Sequence, residues 1–271
     1  MTTPTFGYTR LDKIYDAGSS IIHRARRDRD GLPVILKKLR GPYPSAARVA
    51  RFRREFEITQ GLDGAGCARA VAFENDDGTP VLVLEDHGGD ALGKLLSRGR
   101  LPLESFLEVA VRMTDALGQI HDRNVIHKDV NPSNIIWNPT RDQLGFIDFG
   151  LASTLSRETQ AVRRANVVEG TLPYISPEQT GRMNRSLDRR TDFYSLGCTF
   201  YEMLVGRPPF VASDPMELIH AHIARTPVAP HLIEPLVPRA VSDVVMKLIA
   251  KAAEERYQTC AGLKADHRPP R

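Results

Sequence analysis

Cysteine is scarce in this sequence of 271 residues. The three that are present, Cys67, Cys198 and Cys260, lie far apart, and none belongs to a C-x-x-C pair. Disulfide frameworks and structural zinc sites need several cysteines at suitable spacings, so the sequence indicates neither. We therefore expect a protein of a reducing compartment, the cytoplasm.

Long apolar runs are also missing. No stretch approaches the roughly 18 consecutive apolar residues that a membrane-spanning helix needs. The N-terminal residues contain no apolar segment of the kind found in export signals. The sequence therefore predicts no association with a membrane.

A strong excess of charge of one sign is absent as well, since the formal net charge is +4. The basic clusters, such as Arg26–Arg27 and Arg163–Arg164, have no aromatic residues interleaved. Nucleic-acid-binding surfaces usually concentrate positive charge on one face or motif, so no nucleic-acid partner is expected. With 41% hydrophobic and 26% charged residues, the composition is that of a globular protein with one large or two small cores.

The sequence does contain polar residues at a spacing suited to phosphoryl transfer. His127, Asp129 and Asn134 form an H-x-D-x-x-x-x-N pattern, and an Asp-Phe-Gly triplet begins fourteen residues later at Asp148. Short β-branched runs flank both motifs and predict strands. Phosphoryl transfer needs a carboxylate that orients the attacking hydroxyl and hard oxygen ligands that hold Mg²⁺. A proline-containing turn between two core strands, with solvated carboxylates, is the alternative interpretation.

These motifs resemble the catalytic loop and the metal-binding loop of protein kinases, and the resemblance extends from about Tyr8 to Asp266. It implies that Asp129 orients the acceptor hydroxyl, that Asn134 and Asp148 bind Mg²⁺, and that ATP is the phosphoryl donor. The implied activity is transfer of the γ-phosphoryl group to a serine or threonine of a protein substrate, or of the chain itself, in bacterial signal transduction.

The resemblance also implies an α+β fold with two lobes. Residues 1–86 are expected to form an antiparallel β-sheet with one helix, and residues 87–271 a mainly helical lobe whose last helix is truncated. The patterns agree, because strand-like runs separated by turn residues fill the first part, while the apolar periodicity from Leu103 to Arg123 is typical of a helix. The segment where the two lobes meet is the expected hinge.

One lysine and one glutamate of the first lobe are candidates for an ion pair. The strand ending in Lys37 resembles the motif whose lysine holds the α- and β-phosphates of ATP, whereas Lys38 should point to the opposite face. On the helix predicted at about residues 45–61, Glu55 falls within the apolar arc and Glu57 outside it. We expect Lys37 and Glu55 to pair. An exposed Glu55 that offsets neighbouring arginines is the alternative.

The implied nucleotide site departs from the family pattern in its glycine-rich loop. That loop lets backbone amides approach the phosphates, but its three glycine positions fall here on tyrosine, alanine and serine within residues 15–20. An ordinary hairpin is the alternative there. At the hinge, the resemblance makes Leu84 the gatekeeper and assigns adenine binding to the Glu85 carbonyl and the His87 amide. The expected nucleotide contacts are Gly18, Ser19, Ser20, Ile22, Lys37, Leu84, Glu85, His87, Ile136 and Asp148, and the expected catalytic residues are Asp129, Lys37, Glu55 and Asn134.

The segment from residue 151 to Glu178 resembles an activation segment closed by Ser-Pro-Glu. The resemblance implies a buried pair between Glu178 and Arg256, and a structural role for Asp192 beneath the catalytic loop. It also implies that Thr171 contacts Asp129.

Lys128 takes the place of an arginine that grips a phosphate on the activation segment in many kinases. Its grip should be weaker than that of an arginine, because an ammonium group lacks the bidentate fork. The expected phosphate acceptors are Ser153, Thr154, Ser156 and Thr159, and the expected basic helpers are Arg51, Arg53 or Arg54.

Asn131 stands where protein kinases of this type normally have a lysine, whose charge stabilises the transferring phosphate. On charge alone, Asn131→Lys is expected to raise the transfer rate. Two alternatives stay open: an ATP-binding regulatory module with little transfer activity, and a small-molecule kinase of the aminoglycoside or choline type. The small-molecule class also lacks the lysine, but it has no activation segment closed by Ser-Pro-Glu.

Three segments are similar in sequence to the N-terminal kinase domains of large bacterial signalling proteins: residues 127–134, 169–185 and 214–225. Those proteins also carry an ATPase module and a sensor histidine kinase. Such modules are therefore possible partners of this chain, which does not itself contain them.

Overall fold

The computed structural model describes residues 4–5, 7–18, 20–41, 44–155, 170–182 and 187–266. The first part is an antiparallel sheet whose six strands run in the order β1-β2-β3-β4-β6-β5. The strands are β1 (Pro4–Thr5), β2 (Tyr8–Ala17), β3 (Ser20–Arg27), β4 (Pro33–Leu39), β5 (Ala70–Asp76) and β6 (Thr79–Glu85).

A single long helix, α1 (Ala46–Leu62), packs against this sheet. The Ser45 hydroxyl caps its first turn by accepting a hydrogen bond from a backbone amide, and the helix ends at Asp63 in the left-handed conformation. Its buried residues recur every three to four positions, which is the spacing of one helical face. Phe52 on that face lies 5.8 Å from Phe73 of β5, measured between ring centroids. The buried face therefore points at the sheet, as its periodicity predicts.

The second part is mainly helical. Its helices are α2 (Leu92–Leu96), α3 (Leu103–Asp122), α4 (Arg190–Val205), α5 (Pro215–Ala224), α6 (Pro230–Ile233), α7 (Arg239–Leu248) and α8 (Cys260–Asp266). Five short strands accompany them: β7 (Asp90–Ala91), β8 (Val125–Ile126), β9 (Ile135–Asn138), β10 (Gln143–Phe146) and β11 (Ser153–Thr154). They form two small sheets, β10-β9-β7 and β11-β8, which frame the loops that carry the polar motifs.

Helix α4 is at the centre of the larger hydrophobic core. Nearly all of its residues are buried, as expected for a helix that is covered on every side. The Phe200 ring meets Phe106 of α3 edge to face, with centroids 5.5 Å apart. A Cβ on Gly197 would come within 2.6 Å of the Leu248 Cβ, so only glycine lets α7 approach α4 this closely. This packing holds α4 in place and thereby fixes the position of the residues at its N-terminus.

The expected α+β architecture is confirmed, including the single helix beside the first sheet. Strand β6 ends at Glu85 and β7 begins at Asp90, so the chain crosses from the first part to the second in a short segment. The exact lobe boundary at residues 86 and 87 stays a prediction. No helix in the described ranges is both long enough and apolar enough to cross a lipid bilayer.

The expected buried ion pair between Glu178 and Arg256 is confirmed. The two guanidinium NH groups donate to the two carboxylate oxygens at 2.7 and 3.0 Å, and both residues are almost fully buried. Thr191 of α4 also donates to Glu178 at 2.9 Å. The pair therefore joins the last residue of the activation segment to the chain beyond α7.

Arg256→Met should lower the free energy of unfolding by about 3–5 kcal/mol, because it leaves the Glu178 carboxylate buried without its cation. Arg239→Met is the matched control, since the Arg239 side chain is 82% exposed and its contact with Asp243 is a loose 3.7 Å. Exposed pairs of that kind contribute little to stability. Urea unfolding of both variants measures the difference. Equal losses would show that the buried pair has no special role in stability.

Candidate functional site

The loop between β8 and β9 is held from below by one buried carboxylate. Asp192, in the first turn of α4, accepts hydrogen bonds from the backbone amides of His127 at 2.9 Å and Lys128 at 2.8 Å. Its Oδ2 also lies 2.8 Å from His121 Nε2. Burial by itself would raise the pKa of Asp192, but His121 and the His127 amide more than offset this and lower it. The expected structural role of Asp192 is confirmed.

The Asp129 carboxylate, at the centre of this loop, contacts three donors. Its Oδ1 accepts hydrogen bonds from the backbone amide of Thr171 at 2.9 Å and from the Thr171 hydroxyl at 2.8 Å. Its Oδ2 accepts one from Asn134 Nδ2 at 2.9 Å. The expected contact between Thr171 and Asp129 is confirmed, and it joins the end of the activation segment to the catalytic loop.

Asn134 and Asp148 provide oxygen atoms that fit a magnesium ion. The Asn134 Nδ2 is used by Asp129, which leaves Oδ1 of Asn134 as an acceptor. The Asp148 Oδ1 accepts from the Gly150 amide, while its Oδ2 receives no hydrogen bond from a described residue. The Ile147 amide donates to the Asn134 carbonyl at 2.9 Å, which holds the two loops side by side. Mg²⁺ is commonly bound by few protein oxygens together with nucleotide phosphates, so this donor set suits it.

Lys37 of β4 pairs with two carboxylates. Its Nζ lies 2.7 Å from Glu55 Oε1 and 3.0 Å from Asp148 Oδ1. Burial opposes its charge, but these two carboxylates outweigh burial and raise the pKa of Lys37. Lys38 points to the other face of the sheet, where it contacts Asp76 at 2.6 Å. The pairing of Lys37 with Glu55 and the opposite direction of Lys38 are confirmed.

The hairpin between β2 and β3 stands where the glycine-rich loop is expected. Its strands pair up to Ala17 and Ser20, and Gly18 at the turn is exposed with φ +61°. Ser19 lies outside the described residues. Asp16, near the end of β2, is paired with Lys13 and Arg40. The described residues thus have the form of the ordinary hairpin that was the alternative for this stretch.

Two of the three apolar residues expected around the nucleotide, Ile22 and Leu84, lie on the Lys37 side of the first sheet, and the third, Ile136, belongs to the second part of the fold. Ile22 is directly opposite Lys37 in the β3–β4 register, and Leu84 is opposite Ile35 in the β4–β6 register. Directly opposed residues of antiparallel strands share a face, and so do residues two apart along one strand. Ile136, on β9, is partly buried and lies opposite Gly145 and Ala91.

The hinge has two supports that sequence reasoning missed. The side-chain amide of Asn138 donates to the His87 carbonyl at 2.7 Å. The backbone amide of His87 donates to no described residue. Arg24 of β3 donates to the Asp86 carboxylate at 2.6 Å. The Glu85 amide is used within the first sheet, where it donates to a carbonyl before β5. Neither support belongs to a recognisable motif, because both join residues more than 50 positions apart.

The expected phosphate acceptors differ in their surroundings. Ser153 is buried and belongs to β11, where it pairs with Ile126 of β8. Thr154, its partly buried neighbour, belongs to the same strand. Ser156 and Thr159 lie outside the described residues. Phosphorylation of Ser153 would therefore require β11 to separate from β8, which makes Ser153 a poor acceptor in this arrangement.

Two of the expected basic helpers have other contacts in this structure. Arg51 Nε donates to the Gly150 carbonyl of the Asp-Phe-Gly triplet at 2.9 Å. Arg53 stacks over the Phe73 ring at 4.8 Å from its centroid. Arg51 therefore links α1 directly to the metal-binding loop, whereas Arg53 contacts β5 of the first sheet.

Gln179 is a further residue that motif recognition missed. Its Nε2 donates to the Lys128 carbonyl at 2.7 Å, and its Oε1 accepts from the amide and hydroxyl of Ser176 at 3.1 Å. The Ser-x-x-Gln spacing is that of a capping box, a local signal that was available in the sequence. The capping box fixes Gln179 so that it supports the catalytic loop from the activation segment.

Comparison with known proteins gives one clear family. A family model described as a protein kinase domain matches residues 8–266. The serine/threonine-protein kinase PknB of Mycobacterium leprae is 32% identical over 275 residues, which cover 98% of this chain and 44% of that protein. The PknB protein of Mycobacterium tuberculosis is 33% identical over 276 residues, covering 98% and 44%.

A third relative is described as a DNA damage-responsive serine/threonine-protein kinase, RqkA of Deinococcus radiodurans. It is 31% identical over 260 residues, which cover 94% of this chain and 38% of that protein. The chain therefore spans less than half the length of these curated relatives.

Glu55→Gln should make the Lys37 amine more reactive, because it removes one of the two carboxylates that raise the pKa of Lys37. Acylation of Lys37 at mildly alkaline pH, followed by mass spectrometry, should be about tenfold faster for each pKa unit lost. Glu57→Gln is the matched control, since Glu57 is exposed on the same helix. The same rate in all three proteins would mean that Glu55 does not set the charge of Lys37.

Proposed function

Because the chain belongs to the protein kinase family, we propose that it transfers the γ-phosphoryl group of ATP to a serine or threonine hydroxyl of a protein. The observation that supports this best is the assembly of Lys37, Glu55 and Asp148 on one side of the site and Asp129 with Asn134 on the other. These residues come from both parts of the fold, and together they carry the groups that phosphoryl transfer requires.

The Lys37 side of the site binds the donor in this proposal. Lys37 would hold the nucleotide phosphates, and Glu55 steadies its ammonium group from α1. Asn134 and Asp148 would hold Mg²⁺, which when bound neutralises charge on the phosphates. An ionised Asp148 suits this role. Burial opposes its charge, but Lys37 and the Gly150 amide lower the pKa of Asp148.

The Asp129 side of the site orients the acceptor. Asp129 lies at the surface of the catalytic loop, partly exposed, and it retains acceptor capacity beyond its bonds to Thr171 and Asn134. A hydroxyl that donates to this carboxylate is positioned for attack and can lose its proton during transfer. The order of the segment around Thr171, and its anchoring by Glu178 and Arg256, favours a protein substrate over a small molecule.

Adenine would be held at the hinge by the Glu85 carbonyl and the His87 amide, with apolar contacts from Leu84, Ile22 and Ile136. The backbone amide of His87, which donates to no described residue, supports this proposal. The remaining expected contacts, Gly18, Ser19 and Ser20, belong to the hairpin over the phosphates. We place the boundary between the lobes at the same hinge, after residue 86.

A regulatory ATP-binding module with weak transfer is the second candidate, and two observations favour it. No cation follows Asp129 in the loop, because Asn131 takes that position. The hairpin carries the carboxylate of Asp16 close to its turn, where glycines would let backbone amides approach the phosphates. The first feature removes a positive charge near the transferring phosphate, and the second limits the approach of backbone amides to the nucleotide phosphates.

Wider parts of the proposal concern partners and location. A protein substrate or the chain itself would accept the phosphoryl group. The sequence similarity of residues 127–134 and 169–185 to kinase domains of multidomain signalling proteins supports cooperation with an ATPase module and a sensor histidine kinase. A cytoplasmic location is consistent with Cys67, Cys198 and Cys260, which are all free thiols.

Asp129→Asn should bind Mg-ATP nearly normally but lose transfer by two or more orders of magnitude, because it removes only the group that orients the acceptor. Asp148→Asn should lose both properties, since it removes a metal ligand. Titration with a fluorescent ATP analogue and Mg²⁺ measures binding. Incubation with labelled ATP, followed by mass spectrometry of the chain and of a generic protein acceptor, measures transfer.

Asp243→Asn is the control for this experiment, because Asp243 is exposed on α7, far from the motifs in sequence. A wild-type protein that binds ATP without transfer would favour the regulatory module. Equal loss of binding in Asp129→Asn and Asp148→Asn would contradict the assigned division of roles.

A further inference from the structure

The side chain of Asn131 is buried, with 2% of its surface exposed, and every polar hydrogen it carries has a partner. Its Oδ1 accepts from the Ser133 amide at 2.9 Å and thereby caps the 3₁₀ turn Pro132–Asn134. Its Nδ2 donates to the Asp129 carbonyl at 3.0 Å and to the Thr171 hydroxyl oxygen at 3.3 Å.

The two backbone partners fix which way the Asn131 amide faces. The Ser133 amide is a donor and therefore requires the amide oxygen, while the Asp129 carbonyl is an acceptor and requires the amide nitrogen. The nitrogen consequently faces Thr171 and can only donate to it. The orientation thus follows from two groups of opposite character that both belong to the catalytic loop.

This orientation determines the direction of the Thr171 hydroxyl. Its oxygen accepts the second Asn131 hydrogen, so its own hydrogen is free to point at Asp129 Oδ1, which lies 2.8 Å away. The Thr171 amide donates to the same oxygen at 2.9 Å. A carboxylate oxygen has about two lone pairs, so both of those on Oδ1 are used.

Only Oδ2 of Asp129 then retains a lone pair, because it accepts a single hydrogen bond, from Asn134. Resting on the proposed kinase function, we propose that Asn131 is a positioning residue. Through Thr171 it fixes Asp129 so that the acceptor hydroxyl is received at Oδ2, on the side of the metal ligand Asn134. The amide therefore supplies alignment in the place where related enzymes have a charge.

A double-mutant cycle between Asn131 and Thr171 tests this proposal. Asn131→Ser keeps an N-cap oxygen for the Ser133 amide but is too short to reach Thr171. Thr171→Val removes the hydroxyl and keeps the shape of the side chain. Thr171→Val removes a hydrogen bond to the Asp129 carboxylate, and Asn131→Ser removes the donor that directs this bond. Each single variant should therefore lower kcat about tenfold or more, with the KM for ATP unchanged within about twofold.

The double variant should be no more than about twofold slower than the slower single variant, because Asn131 acts through Thr171. Thr171→Ser should restore most of the kcat lost in Thr171→Val, since it returns the hydroxyl. Asn75→Ser is the matched control: Asn75 also accepts a backbone amide through its Oδ1, at 2.6 Å, but it is exposed in the first sheet. Asn131→Lys does not separate the two roles, because an ammonium group can also donate to Thr171.

Losses that multiply in the double variant would overturn the proposal, and so would a kcat loss that tracks a lowered unfolding midpoint. If the wild-type protein shows no transfer, the proposed function fails while the inference remains testable. Hydrogen exchange of the Thr171 amide, followed by mass spectrometry, should then be faster in Asn131→Ser than in wild type and Asn75→Ser. Unchanged exchange would overturn the inference independently of activity.

Discussion

The structure of the site depends first on the buried carboxylate of Asp192. It accepts hydrogen bonds from the backbone amides of His127 and Lys128, where the catalytic loop turns. Buried backbone amides need such partners. Lys128 adopts φ +66° there, a conformation that a non-glycine residue keeps only when its surroundings impose it. Because Asp192 lies in the first turn of α4, the helix dipole favours its charge. The most buried helix of the protein thereby sets the shape of the loop that carries Asp129.

The elements around the catalytic loop are joined by polar contacts between residues that are distant in sequence. Lys37 brings the first sheet, α1 and the metal-binding loop together, and Arg51 adds a second link from α1 to Gly150. Thr171 and Gln179 attach the end of the activation segment to the catalytic loop. These contacts connect α1 with the metal-binding loop and the end of the activation segment with the catalytic loop.

The two departures from the family pattern both concern the stabilisation of phosphate groups. Asn131 removes a positive charge near the transferring phosphate, and the hairpin lacks the glycines that let backbone amides approach, while the oxygen ligands and Asp129 are complete. Preorganised charge is usually the largest contribution to such a transition state, whereas alignment contributes separately. The site is therefore built for correct geometry, and Lys37, the cation that contacts Asp148, is already paired with Glu55.

The sequence by itself determined the fold class, the two polar motifs and the pairing of Lys37 with Glu55. Helical periodicity placed Glu55 on the buried face of its helix, strand alternation separated Lys37 from Lys38, and the resemblance to the kinase motif chose Lys37. Only the tertiary structure decided that Asn138 donates to the hinge, that Ser153 is buried in a paired strand and that Asn131 donates to Thr171. The physical reason is that a hydrogen bond between distant residues depends on the relative placement of whole elements, which is fixed by packing. Local patterns report burial, but they do not specify which distant partner a buried polar group will meet.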